Sequence, residues 1–198
     1  MIAIIDYGAG NLSSVLKAFD FIDVEAVVTS DINVIEKADK IVIPGVGAFA
    51  DAMEKLIDLN LIEALSKQAK VKKILGICLG MQILFSKGFE QKECDGLSLI
   101  EGEVVKIKES NLKIPHIGWN DVVVSNPSPL LNGINSGDYF YFVHSYIAKT
   151  NDKYINAYCE YGEKIPAVVS CGNVYGAQFH PEKSSKTGLL LLKNFSNL

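Results

Sequence analysis

The first half of the chain alternates nearly continuous apolar runs with amphipathic ones. Residues 2–5, 24–28, 40–43 and 73–77 are runs in which almost every side chain is apolar, the pattern of strands covered on both faces. Between the first two, Leu12, Val15, Leu16 and Phe19 recur at the spacing of one helical face. Residues 81–85, again apolar, predict a helix after the fourth strand. This alternation predicts a doubly wound α/β fold with a mostly parallel central sheet and flanking helices. Beyond Gly88 the texture changes. Shorter strand-like runs at 103–107, 121–124, 139–143, 154–158, 167–171 and 174–179, separated by turn residues, predict an additional antiparallel β region. A helix over 185–195 closes the chain. No repeat, low-complexity stretch or linker divides it, so residues 1–198 read as a single domain.

Composition narrows the class without naming a function. A hydrophobic fraction of 48% and a charged fraction of 21% in 198 residues suit a soluble globule with a substantial core. A net charge of −4 leaves no electrostatic footprint for nucleic acid. The amino terminus meets Asp6 too early for a signal peptide, and no apolar run is long enough to cross a bilayer, so a cytoplasmic protein is expected. Four cysteines, Cys78, Cys94, Cys159 and Cys171, show neither C-x-x-C pairs nor metal-ligand spacing, which suits a reducing compartment and predicts no metal site. The last three carry no role that can be assigned.

Candidate chemistry begins at Gly76-Ile77-Cys78-Leu79-Gly80-Met81-Gln82. Cys78 stands at the junction of strand and helix with glycines two residues to either side, as in the G-x-S-x-G elbow that presents a nucleophile. The Leu79 amide would then be free to bind an oxyanion. An ordinary buried cysteine is the competing reading. A second group lies in Gly176-Ala177-Gln178-Phe179-His180-Pro181-Glu182. Strand alternation from residue 174 onward would point His180 and Glu182 the same way, giving a base and the carboxylate that orients it. A surface histidine beside a solvated acid would also fit that pair alone. Gly8-Ala9-Gly10-Asn11-Leu12-Ser13 follows the first strand almost as a dinucleotide fingerprint does, but Ser13 replaces the third glycine and no acidic residue ends the second strand. It reads instead as a tight turn. Pro44-Gly45-Val46-Gly47 follows the third strand at the sheet edge where such folds bind ligands.

Together, the Cys78 and His180 segments resemble the class I (triad-type) glutamine amidotransferases. Further segments, Asp6-Tyr7-Gly8-Ala9-Gly10-Asn11-Leu12, Pro44 to Phe49, Pro115-His116-Ile117-Gly118-Trp119-Asn120 and Phe142-Val143-His144-Ser145-Tyr146, resemble in particular the glutaminase subunits of imidazole glycerol phosphate synthases. The resemblance runs from the first residues to the last helix. Ser185 and Ile147 depart from the usual pattern without touching the triad. The resemblance implies a class I glutamine amidotransferase fold and a Cys78, His180, Glu182 triad. It also implies an oxyanion hole of the Val46 and Leu79 amides, and glutamine binding by Gly47, Gln82, His144, Ser145 and Tyr146. It implies no cofactor, and a heterodimer with a (β/α)8-barrel cyclase that takes up the ammonia. Asn11, Trp119, Tyr141 and Lys183 fall in segments that meet this partner in the family. For the His144 ring a structural role stays open, as does a core role for Trp119 and Tyr141. A glutaminase serving another synthase, such as one aminating a sugar precursor, and a catalytically silent binding subunit are the alternatives.

Overall fold

The computed structural model describes residues 1–108 and 111–198. Its first half runs β1 (Ile2–Ile5), α1 (Leu12–Phe21), β2 (Ala26–Thr29), α2 (Ile32–Lys37), β3 (Lys40–Gly45), α3 (Phe49–Asp58), α4 (Leu61–Gln68) and β4 (Lys73–Cys78). There follow α5 (Leu79–Gln82), β5 (Phe85–Gly88), β6 (Cys94–Asp95), β7 (Ile100–Lys106), β8 (His116–Asp121), β9 (Val123–Val124), β10 (Tyr139–His144) and β11 (Tyr146–Lys149). The last part holds β12 (Ile155–Glu160), β13 (Lys164–Cys171), β14 (Val174–Ala177) and α6 (Ser185–Ser196). Among the described residues no helix is long and apolar enough to cross a membrane.

The central sheet has the order β2-β1-β3-β4-β14-β13-β12-β9. Its pairings are parallel from β2 to β14 and antiparallel from there to β9. Alternation along β1 explains why its sequence is apolar throughout. Ile2 and Ile4 pack on one face with Phe19, Phe179, Leu191 and Phe195. Ala3 and Ile5 pack on the other with Phe49, Leu56, Leu65 and Phe85. A strand buried on both faces has no polar side. Outside this sheet, β8 and β10 form a two-stranded antiparallel ribbon, and β11-β7-β5-β6 form a small mixed sheet.

Several predicted elements differ in extent. The helix expected over 81–85 stops at Gln82 after four residues, and Phe85 opens β5 instead. Met81, Ile83, Leu84 and Phe85 are all fully buried, so the run carries no periodicity to separate helix from strand. The ribbon strand β8 escaped the sequence reading because its alternation is inverted. Ile117 and Trp119 face outward, 58% and 53% exposed, while His116 is buried. The strand predicted over 121–124 is split between the end of β8 and β9. β11 was also missed, and β14 ends at Ala177, short of Phe179. His180 and Glu182 therefore do not share a strand face; a 3₁₀ turn at Pro181–Lys183 brings them together. Proline suits the first position of such a turn, where no amide donor is required.

Candidate active site

Cys78 ends β4 with φ 54° and ψ −111°. A side chain at positive φ is strained by roughly 1–3 kcal/mol, and the flanking glycines show what holds it there. A Cβ on Gly76 would lie 2.4 Å from the Gly80 carbonyl oxygen, and one on Gly80 would lie 1.7 Å from the Ile43 carbonyl oxygen. Only two bare backbones allow α5 to turn back so closely over β4 and β3. Gly80→Ala drives a methyl into a main-chain carbonyl that no rotamer change relieves. The expected loss is about 3 kcal/mol, or roughly 6–12 °C in Tm for a chain of this size, as read by thermal unfolding.

Register supplies the neighbouring wall. β3 pairs with β4 so that Pro44 lies beside Ile77 and Gly45 beside Cys78, which carries Val46 and Gly47 to the thiol. Gly45 is required by contact, since a Cβ there would stand 2.3 Å from the Tyr7 hydroxyl. That hydroxyl donates to the Pro44 carbonyl at 2.7 Å. Burial, reinforced by the Cys78 charge, pushes the Tyr7 phenol up, so it stays a donor. Gly47 is different: a Cβ there would meet open space, but its φ of +108° disfavours any side chain.

β14 runs parallel to β4 with Ala177 beside Ile77, so the chain beyond it passes next to Cys78. His180 Nδ1 lies 2.8 Å from Glu182 Oε1, and both side chains are almost wholly buried. Two hydrogen bonds pin the turn to β10 and one closes it internally. The His180 amide donates to the Tyr141 carbonyl at 2.9 Å, the Ser184 hydroxyl to the His180 carbonyl at 2.6 Å, and the Tyr141 amide to the Ser184 hydroxyl at 2.9 Å. A carboxylate accepts, so Nδ1 carries the proton toward Glu182. His180 Nε2 is buried without a hydrogen-bond partner, as is Glu182 Oε2. Burial lowers the His180 pKa, but the neighbouring Cys78 and Glu182 outweigh it and raise it to about 9.

These groups open on one cavity of about 270 Å³, lined by Val46, Gly47, Cys78, Leu79, Gln82 and His180 with the backbone stretch 143–146. Glu90 and Pro115 complete the wall. The Gln82 side-chain amide donates to the Tyr146 carbonyl at 2.9 Å and to Gln178 Oε1 at 3.1 Å. Gln178 in turn directs its Nε2 to Cys78 Sγ at 3.9 Å, and the Val143 carbonyl stands 3.8 Å from the same sulfur. Sequence reading missed Glu90, Gln178 and Val143. Glu90 lies in a loop with no recognisable motif, and its carboxylate reaches the cavity by accepting from the Phe49 amide at 2.8 Å, across 41 residues. Burial raises its pKa, partly offset by that hydrogen bond.

The His144 ring faces His116 rather than the cavity centre, with Nε2 3.0 Å from His116 Nδ1. Burial lowers both rings, to about 3 for His144 and about 4 for His116. Between pH 6.5 and 4 the unfolded chain therefore binds protons that the folded rings refuse, and stability falls as pH drops through that window. His180 acts in the opposite sense: its contribution is complete below about pH 6.5 and is lost as pH rises toward 9. Urea midpoints are expected to decline from pH 6.5 to 5, with a shallower decline in His116→Gln. A flat profile there contradicts neutral buried rings.

Of the residues expected at a partner surface, Trp119 and Tyr141 sit opposite each other on the ribbon with ring centroids 6.2 Å apart. Trp119 is half exposed and Tyr141 partly so, which removes both from the core. Lys183 is exposed on the turn beside β10, and Asn11 is the N-cap residue of α1. Ile117, Trp119 and Tyr139, all more than half exposed, make the outer ribbon face apolar. Alternation places Val143 of the cavity wall on that same face.

A strained cysteine elbow, a carboxylate-held histidine and this sheet define a class I glutamine amidotransferase, and the chain belongs to that family: its sequence model, Glutamine amidotransferase class-I, matches residues 3–197. Among curated relatives, the chain is 49% identical over 201 residues to imidazole glycerol phosphate synthase subunit HisH 1 of Campylobacter jejuni, covering 100% of both. It is 48% identical over 200 residues to subunit HisH of Caldanaerobacter subterraneus, covering 100% of this chain and 98% of the relative. Two solved structures share the fold at low identity. One described as a glutamine amidotransferase superposes with a TM-score of 0.77 at 17% identity and full coverage of both chains. The other, PurLQS from Thermotoga maritima, gives 0.72 at 19%, covering 99% of this chain and 97% of that one.

Proposed function

We propose that the chain is the glutaminase subunit of an imidazole glycerol phosphate synthase, hydrolysing L-glutamine and passing ammonia to a (β/α)8-barrel cyclase in histidine biosynthesis. The observation that carries the chemistry is the orphaned His180 Nε2, buried beside the strained Cys78 and held from behind by Glu182. A buried nitrogen without a partner is costly, and at this position a reacting sulfur or leaving nitrogen supplies the partner.

The Cys78 thiolate attacks the carboxamide carbon, and the amides of Leu79 and Val46 receive the oxyanion. Collapse breaks the C–N bond, with the His180 imidazolium giving its Nε2 proton to the departing nitrogen, so that ammonia leaves and a thioester remains. The sulfur charge that raised His180 is now gone, and the neutral ring becomes a base. It takes a proton from water, whose attack expels the thiolate and releases glutamate. Glu182 holds Nδ1–H throughout.

At the other end of the substrate, Glu90 is the carboxylate in the cavity and complements an α-ammonium group. Glu90→Gln is expected to lower kcat/KM for glutamine roughly 10- to 100-fold, mainly through KM, in steady-state kinetics of the complex. The apolar ribbon face, continuous with Val143 beside the thiol, is where the cyclase would cover the exit for ammonia. The docking residues would be Trp119, Tyr141, Lys183 and Asn11. The 48–49% relatives favour this acceptor over an enzyme that aminates a sugar precursor.

A diazoketone analogue of glutamine, added with cyclase present, is expected to modify Cys78. No modification sinks the glutaminase reading. If free ammonia drives the cyclase but glutamine plus this chain does not, the assignment to histidine biosynthesis fails.

A further inference from the structure

We infer that His116 is a positioning residue for glutamine binding: a hydrogen-bond chain with one allowed proton arrangement, running through its ring, holds the 144–146 backbone that walls the substrate cavity. The inference takes its substrate from the glutaminase reading above. Its geometry stands by itself.

The two ends force the arrangement. At one end the Glu160 carbonyl can only accept, and Asn120 Nδ2 lies 3.1 Å from it, which identifies that atom as the amide nitrogen. The same nitrogen is 3.3 Å from His116 Nε2, so Nε2 accepts. The proton of a neutral His116 is then on Nδ1, 3.0 Å from His144 Nε2, which accepts in turn. At the other end the Tyr146 carbonyl can only accept, and His144 Nδ1 lies 3.0 Å from it. Reading inward from either end gives the same answer: both rings are neutral and both carry the proton on Nδ1. A further proton on either ring would set one donor against another. The low pKa values that burial imposes on both rings agree with this.

Packing fixes the rings as firmly as the protons do. β8 and β10 place His116 directly opposite His144, and His116 is stacked between Phe142 and Tyr161 at 4.9 and 4.1 Å. The chain ends on the Tyr146 carbonyl, which also receives Gln82 Nε2. That carbonyl lies three residues beyond Val143, whose own carbonyl faces Cys78 Sγ. His116 touches none of the reacting atoms, so its effect belongs in substrate binding rather than in the chemical step.

Two measurements test this. The chain has three histidines, so long-range proton–nitrogen NMR of the ¹⁵N-labelled protein can resolve each ring. Two rings, His116 and His144, are expected as neutral Nδ1–H tautomers from about pH 5 to 8. An Nε2–H tautomer or a charged ring at either position overturns the inference without touching the glutaminase reading. Second, in the complex with cyclase, His116→Phe keeps the stacking and loses the donor. It is expected to raise KM for glutamine about tenfold with kcat within about twofold. His116→Gln, which can accept from Asn120 and donate to His144, is expected to recover most of that loss. Unchanged KM in His116→Phe, or no recovery in His116→Gln, also overturns it. If His116→Phe does not fold, the tautomer measurement on the unaltered chain decides. If the unaltered complex hydrolyses no glutamine, the glutaminase reading fails, and the NMR result still judges the hydrogen-bond chain.

Discussion

Cys78→Ala is expected to reduce glutamine hydrolysis on the order of 10⁵- to 10⁶-fold while ammonia-driven turnover of the cyclase partner persists. Alanine keeps the elbow and its positive φ but cannot form the thioester, and no other cysteine lines the cavity. Because the strain is unchanged and the lost sulfur is small, stability is expected to stay within about 1 kcal/mol of the parent. The inactive variant is then folded and able to dock. Its complex, assayed side by side with glutamine and with ammonium salt, reads both halves of the prediction. Residual glutamine turnover above about 1% would move the nucleophile elsewhere. Loss of ammonia-driven turnover as well would mean that Cys78 supports docking rather than chemistry.

Glu182→Gln is expected to lower kcat roughly 10³- to 10⁴-fold, as removal of the orienting charge does in serine triads. Two effects act together. The carboxylate that raises His180 is lost, so the imidazolium needed to protonate the departing nitrogen becomes scarce. The amide can also present its NH₂ group to Nδ1, because Glu182 Oε2 has no partner to hold the side chain in one orientation. That rotamer forces the His180 proton onto Nε2, the atom that must accept from water. The volume is conserved, so the variant should fold, with a lower unfolding temperature because a buried pair is broken, and NMR titration of His180 should show its midpoint falling from about 9. A loss smaller than tenfold, or an unmoved His180 midpoint, would remove Glu182 from the mechanism.

Much of the architecture was legible because burial on both faces leaves a strong mark. The runs over 2–5, 40–43 and 73–77 lie within β1, β3 and β4, and the helical face through Leu12, Val15, Leu16 and Phe19 lies in α1. Failures came where the same mark is ambiguous or inverted. The run from Met81 to Phe85 is buried whether it coils or extends, so its turn into β5 could not be read. β8 shows its apolar side chains to solvent, the reverse of a core strand, which concealed it. That inversion suits a surface kept for a partner.

By itself the sequence determined the identity of the chemical groups. Glycines two residues to either side of Cys78 are a local necessity of the turn, and Pro181 between His180 and Glu182 a local preference of theirs, so these signals survive in one dimension. The tertiary structure alone decided what those groups face. Parallel pairing of β14 with β4 brings His180 to Cys78 across 102 residues, and the Phe49 amide draws Glu90 into the cavity. The Glu160 carbonyl, 40 residues beyond the Asn120 amide that it orients, dictates which nitrogen of His116 carries the proton. Proton position and substrate contact depend on partners remote along the chain, and no local pattern records them.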